Sequence, residues 1–345
     1  MPPLCHKTNS PRRTLPLRAV AALLSLLCLT TCLKAEEFGE YQYQINGSTI
    51  TITGFLGHGS EVAVPGKIGE LPVTAIGPSA FAQRNVRTVT LPDGITSIGD
   101  YAFHSCQHMT GLSMPASVTH IEAGAFSSCS ALQELRIPDS VTHLGIEAFY
   151  GCVSLTGVTL PGSMVSIGER AFIGCTGLTS ATLENGITFT GNKVFPGCTG
   201  LTSISLPDSL LAIGDEVFTG CWSLTSAAIP GRVTSIGKQA FAGCWSLISA
   251  PLPRRLTSLG AGAFSGCALT SATLPDSLTS IGEGVFAGCW SLASVTLPVS
   301  LTSIGTRAFA GCRSLVSVSF PRSVTIIAER AFGGCSSLGA VTIPA

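Results

Sequence analysis

Apolar positions recur along this chain in one arrangement. The stretch Leu278–Leu297 reads LTSIGEGVFAGCWSLASVTL, and near copies begin at Leu301 (LTSIGTRAFAGCRSLVSVSF) and Val233 (VTSIGKQAFAGCWSLISAPL). Each copy carries a segment with L-x-x-L-x-L spacing, as at Leu155, Val158 and Leu160. Alternation over so few residues predicts a short strand with those three side chains inward and Thr156, Gly157 and Thr159 outward. Pro161, which has no backbone donor, ends it. A second short apolar pair follows, clearest at Leu210 and Ile213, then a glycine such as Gly214 and an Ala-Phe turn. The phenylalanine returns at 81, 103, 126, 149, 172, 195, 218, 241, 264, 286, 309 and 332, at intervals of 23 residues apart from two of 22. A fixed period in this range marks stacked structural repeats.

The pattern predicts a leucine-rich-repeat solenoid, mainly β, with a parallel sheet on the concave face and short turns, 3-10 or helical turns, on the convex face. One coil buries about seven or eight apolar side chains, each worth roughly 1.5–3 kcal/mol when fully covered. That covering needs a neighbour on both faces, so the units come in runs. Weak points are legible as departures. Glu184 stands where other units have the strand-ending proline and Thr190 where they have the inward isoleucine, so the 172–195 unit should be the least regular. Pro251 falls inside a strand and removes one ladder donor.

Three segments follow. Residues 1–35 read as an export signal: Arg12, Arg13 and Arg18 precede the apolar run Ala19–Leu29, which falls short of the roughly 18 residues a membrane span needs. Two processing routes stay open, cleavage after Leu33-Lys34-Ala35 or a lipobox at Leu29-Thr30-Thr31-Cys32 with a lipid anchor on Cys32. Ser10-Pro11-Arg12-Arg13 is a poor twin-arginine match and reads as an ordinary basic region. Residues 36–80 form an N-terminal cap and first partial repeat. Tyr41–Ile45 and Thr49–Thr53 alternate on either side of Asn46-Gly47-Ser48, a hairpin signal, and a solenoid needs its first face covered by an atypical unit. Residues 81–345 are leucine-rich repeats of 22–23 residues. They reach Ile343-Pro344-Ala345 just after a strand, an end expected to be covered by a partner or by self-association, or else tolerated through its short edge.

Composition changes the picture in one respect. The 19 basic and 19 acidic residues balance, but residues 1–35 hold five of the basic ones and no acid, leaving the body at −5. A mildly acidic body without basic clusters argues against nucleic acid as a partner.

The repeat resembles the BspA-like branch of leucine-rich repeats, also called the Treponema pallidum type, whose motif runs LxxLxLPxxLxxIgxxAFxxCxx. The match covers residues 81–344, and its AF-x-x-C element makes it specific. The resemblance implies an exported or surface protein of bacterial or protozoan kind, often an adhesin for host matrix proteins or other microbes. It carries over no catalytic or binding residue, and fold-level analogy is a weak warrant for function.

Candidate chemistry is sparse. Eleven of the 14 cysteines, Cys106 to Cys335, sit three residues after the repeat phenylalanine. Stacked coils bring neighbours to about 5 Å, within disulfide range, and export favours oxidation. One cysteine per identical environment, and an odd total, nevertheless points to buried free thiols packing as small hydrophobes. No C-x-x-C occurs, so no zinc site or other metal is implied, and no cofactor is. His120 and His143 share a slot in successive units, with His104 and His108 nearby in sequence, a surface metal or pH-sensing site at most. No histidine follows His143, and no hydrolase or nucleotide fingerprint stands in a strand–helix setting, so no enzyme is implied.

Two surface features suit recognition. Thr202, Ser203, Ser205, Thr225, Ser226, Thr270, Ser271 and Thr273 make an almost uncharged hydroxyl face, which fits either β-propensity alone or a platform for a protein ligand. Trp222, Trp245 and Trp290 fall directly after the ladder cysteine, where other units carry Gln107, Ser130, Thr176 or Arg313. A slot that accepts such residues is exposed, and exposed tryptophans mark binding surfaces; the competing reading has the rings shielding the turn. The function expected is therefore non-enzymatic protein–protein contact, as a bacterial cell-surface adhesin, with a structural envelope scaffold as the alternative.

Overall fold

The computed structural model describes residues 35–342. The cleavage and lipidation readings around Cys32 and the terminal 343–345 lie outside these residues. Successive coils stack so that each short strand pairs in parallel with its equivalent one period on. One column runs through Ser97–Ile98, His120–Ile121, His143–Leu144 and Ser166–Ile167, with His120 opposite His143 and Ile121 opposite Leu144. The other is built from the L-x-x-L-x-L segments, for example Gly157–Leu160, Ser180–Leu183 and Ser203–Ser205, with Val158 opposite Ala181 and Ala181 opposite Ile204. Slippage by one residue would turn the leucine face to water, so the apolar pattern fixes this register. Leu155, Val158 and Leu160 are buried while Thr156 and Thr159 are exposed, as the pattern requires. The remaining side consists of hydrogen-bonded turns, with no helix among the described residues.

The turn side is organised around the phenylalanines. Their rings stack in one column, neighbouring centroids lying between 4.9 and 5.8 Å apart. The backbone follows, Phe103 N–H donating to Ala125 O at 2.7 Å and Phe126 N–H to Ala148 O at 2.7 Å. Two residues per unit adopt left-handed backbone to turn this corner. One lies two positions after the phenylalanine and is usually glycine, as at Gly220 and Gly243 (φ 70°). The other lies two positions before it and is often a long polar residue, as at Arg170 (φ 60°) and Arg307 (φ 54°), a conformation that costs roughly 1–2 kcal/mol without glycine. The glycine after the second strand has a different purpose. A Cβ on Gly168 would overlap the carbonyl of Gly145 in the preceding coil, so the residue type there sets how closely coils approach.

The N-terminal hairpin is present, strands Tyr41–Asn46 and Thr49–Phe55 pairing antiparallel with Asn46 opposite Thr49. The two-residue loop is thus Gly47-Ser48, and positive φ is confined to Gly47, where a II′ turn places its glycine. The second hairpin strand joins the solenoid by parallel pairing with Leu71–Ile76. It also contributes Phe55, buried and stacked 5.2 Å from Phe81, with Phe55 N–H donating to Ala80 O at 2.8 Å. The aromatic column therefore starts one rung earlier than the sequence period indicates, because the interval from 55 to 81 is 26 residues.

Both weak points show. In the 172–195 unit the first column has only a single bridge, Phe189 to Ala212. Thr190 is nonetheless fully buried: its hydroxyl donates to Gly191 O at 3.0 Å and accepts from Gly214 N–H at 2.9 Å. In regular coils the equivalent glycine donates to the backbone, as Gly168 does to Leu144 O at 2.7 Å and Gly237 to Ile213 O at 2.8 Å, so a side chain here replaces a ladder acceptor. Around Pro251 no strand forms, and the segment keeps one bridge, Ser226 to Ser249, before pairing resumes at Ser271–Thr273.

Candidate functional site

From Phe103 onward each coil leaves the aromatic column through a cysteine, and that cysteine is held twice. Its N–H donates to the carbonyl of its own coil's phenylalanine, as Cys244 to Phe241 O at 3.2 Å. Its thiol donates to the phenylalanine carbonyl of the preceding coil, as Cys244 Sγ to Phe218 O at 3.2 Å and Cys106 Sγ to Phe81 O at 3.0 Å. All eleven are free, and all but Cys335 are buried. Burial pushes the Cys106 thiol up to about 11 and those of Cys175 and Cys289 to about 12, so they are poor nucleophiles. The thiols bind coil to coil.

The residue after a cysteine so fixed is thrown outward. Trp222, Trp245 and Trp290 are 47%, 54% and 41% exposed, whereas the preceding cysteines are fully buried. Trp222 and Trp245, in adjacent coils, stack with ring centroids 5.0 Å apart and planes 2° from parallel. Trp290 stands two coils further on, with Ala268 in the intervening slot, and does not join this pair. The indoles fold back over the turn, Trp222 Nε1 lying 3.7 Å from where a Cβ on Gly220 would sit. Each indole of the stacked pair thus lies over its turn glycine while about half of the residue meets solvent.

The hydroxyl face lies beside this corner, and Thr202, Ser203, Ser205, Thr225, Ser226, Thr270, Ser271 and Thr273 are all exposed. Its first threonines have a structural duty, since Thr179 Oγ1 donates to Thr156 O at 2.9 Å and Thr202 Oγ1 to Thr179 O at 3.0 Å. A further hydroxyl ladder went unread in the sequence. Ser117, Ser140 and Ser163, after the proline of each unit, donate to Ile95, Val118 and Val141 carbonyls at 2.6–2.7 Å. The recurring P-x-S at fixed period was its signal.

His120 and His143 stack with centroids 4.5 Å apart and planes 4° from parallel. Each Nδ1 is hydrogen-bonded to the preceding threonine hydroxyl, at 2.8 Å and 2.7 Å. His104 instead lies in a turn corner, with Nε2 3.1 Å from Ser105 Oγ and its ring edge-on to Tyr101. The histidines are thus divided between two places, and threonine hydroxyls already engage the stacked pair.

Similarity to known proteins agrees with this architecture. A family model described as BspA type leucine rich repeat region, six copies, matches residues 74–198, 165–290 and 257–345. A leucine-rich repeat protein from Bacteroides ovatus is 28% identical, with a TM-score of 0.72, over 90% of this chain and 88% of that one. A leucine rich cell surface protein from Faecalibacterium prausnitzii is 30% identical, with a TM-score of 0.56, over 89% and 94% of the two chains. No protein of curated function matches.

Proposed function

The chain belongs to the BspA-type leucine-rich-repeat family, and on that premise we propose that it is an exported, non-enzymatic adhesin whose protein ligand docks at the tryptophan corner. The observation that carries this reading is the exposed Trp222–Trp245 stack. Large rigid aromatic faces give much contact area for little lost side-chain freedom, and tryptophan is enriched among interface hot spots. The adjoining hydroxyl face supplies neutral donors and acceptors around that apolar centre, the arrangement of a polar rim. The relative from Faecalibacterium prausnitzii is described as a cell surface protein, which supports the same location for this chain. A basic n-region followed by Ala19–Leu29 supports export, with a lipid anchor at Cys32 as one route.

The test is surface binding of the mature protein to immobilised host matrix proteins, comparing wild type with a Trp222→Ala, Trp245→Ala double variant whose fold is checked by circular dichroism. Saturable binding that weakens roughly 30-fold in the double variant, the equivalent of about 2 kcal/mol, supports the assignment. Unchanged affinity reduces the stack to turn packing. Absence of saturable binding removes the adhesin reading. Mass spectrometry of the mature N-terminus decides between lipidated Cys32 and cleavage after Ala35.

A further inference from the structure

The exposed row that follows the cysteine ladder has one empty rung. From Trp222 it runs through Trp245 and Ala268 to Trp290. The unit from Phe264 to Phe286 is one of the two with 22 residues, and the loss falls here: Ala268 alone stands between Cys267 and Leu269, where the coils on either side carry Trp-Ser. Trp245-Ser246 and Trp290-Ser291 each make a two-residue turn, whereas Cys267, Ala268 and Leu269 make none. The stack keeps its pace across the gap, the ring of Phe264 lying 5.3 Å from Phe241 and 5.8 Å from Phe286. The slots of Trp245 and Trp290 are therefore two coil steps apart, roughly 10 Å. Trp222 and Trp245 fill one such step by stacking at 5.0 Å, so two steps leave a notch one ring thick above Ala268.

The lost turn also frees backbone groups. In neighbouring coils the second turn residue donates to the slot carbonyl of the coil before, as Gly200 N–H does to Thr176 O, Ser246 N–H to Trp222 O and Ser314 N–H to Trp290 O, each at 3.1 Å. The short coil has no such residue. Among the described residues no hydrogen bond reaches Trp245 O or Ala268 O, and none leaves Ser291 N–H. The notch thus offers unspent acceptors and an unspent donor beside two exposed tryptophans, over a part-exposed alanine. Trp245, Ser246, Ala268, Trp290 and Ser291 carry no charge. A guanidinium or ammonium only donates and a carboxylate only accepts, whereas a hydroxyl does both. The indole face is the negative pole of its quadrupole and attracts hydrogens of partial positive charge, such as those on a saturated ring. One ligand class joins an apolar C–H face to a rim of hydroxyls. We propose that the notch seats a neutral pyranose ring of a glycan, its C–H face on the side of Trp245 turned away from Trp222 and its hydroxyls at Trp245 O and Ser291 N–H. The site shares Trp245 with the protein-docking corner but does not rest on that reading.

The probe is a printed array of neutral oligosaccharides of hexoses and N-acetylhexosamines, screened with the mature chain. The strongest binder is then titrated as free oligosaccharide while tryptophan emission is followed. Wild type should bind it saturably with a shift in emission. Ala268→Trp fills the notch and Trp290→Ala removes one of its sides, and each should weaken binding by about tenfold or more. Thr176→Ala, in the same row but four coils before Ala268, should leave affinity unchanged. Circular dichroism and thermal melts check the fold of each variant. Should Ala268→Trp fail to fold, Trp290→Ala, a substitution at an exposed side chain, decides alone. Neither variant alters Trp222, so the result is read independently of protein docking. No saturable binding to any neutral oligosaccharide, or unchanged affinity in a folded notch variant, overturns the proposal.

Discussion

The ring of Phe55 lies 5.2 Å from that of Phe81 at an interplanar angle of 25°, so the hairpin is the first rung of the aromatic column as well as a strand of the sheet. Tyr41 lies above it at 5.5 Å and donates through its hydroxyl to Ala63 O at 2.9 Å. In a solenoid each unit is stabilised by its neighbours, so an end rung carries the cooperativity of those behind it. Phe55→Ala should therefore cost about 3–5 kcal/mol in urea unfolding, as buried phenylalanine truncations do. The half-exposed Phe38→Ala should stay within about 0.5 kcal/mol. Equal effects from the two variants would show that the hairpin is appended and not part of the stack.

The cysteine column predicts a pH dependence. Burial raises Cys106 from 9.0 to about 11 and Cys175 and Cys289 from 9.0 to about 12. The folded chain thus holds these protons more tightly than the unfolded chain. Their contribution is full below about pH 9 and falls as pH climbs to 11–12, each thiol losing about 1.4 kcal/mol per pH unit within that window. Thermal melts should be nearly flat from pH 7 to 8.5 and drop steeply beyond 9, and Cys175→Ala should make the drop shallower. Thiol reagents at neutral pH should leave the ten buried ladder thiols, Cys106 to Cys312, unlabelled in the native chain and react with them after urea unfolding, the part-exposed Cys335 labelling first.

What the sequence carried depended on the kind of signal. Period, strand positions, exposed tryptophan slot and the weakness at Thr190 and Pro251 are all patterns of residue type, and residue type at fixed spacing decides which way a side chain points. Phe55 escaped because its interval of 26 residues breaks the period, although its ring fills the same place. Pairing of Trp222 with Trp245 but not Trp290 followed from coil adjacency, which the spacing does record.

Coil spacing is set by glycines with normal backbone angles. Gly168 sits against the carbonyl of Gly145, and a Cβ added there overlaps backbone, which has no rotamer to yield. Gly168→Ala should cost roughly 1–3 kcal/mol, the range for overpacked sites, read as a lower urea midpoint. The opposite sign is expected at Arg307, an exposed residue held at φ 54°. Arg307→Gly relieves a left-handed conformation and should stabilise by up to about 1 kcal/mol, net of the added freedom of the unfolded chain. A destabilised Arg307→Gly would mean that its side chain contributes more than the backbone strain costs.

Thr190 tests whether repeat consensus or local hydrogen bonding governs the irregular unit. Consensus at this position is apolar, and an inward isoleucine or leucine occupies it in neighbouring coils, as at Ile167 and Ile213. Substitution by valine would keep the shape of threonine and add apolar character at a fully buried site. The hydroxyl, however, accepts from Gly214 N–H at 2.9 Å and donates to Gly191 O at 3.0 Å. Thr190→Val leaves that buried N–H without an acceptor, and an unmade hydrogen bond of this kind costs about 1–3 kcal/mol, more than one methyl group recovers. The variant should therefore be less stable than wild type, with faster hydrogen exchange at Gly214 than at Gly237, whose backbone acceptor is intact. A variant as stable as wild type with unchanged exchange would show that the coil relaxes to the backbone bond its neighbours use, and that the threonine is replaceable.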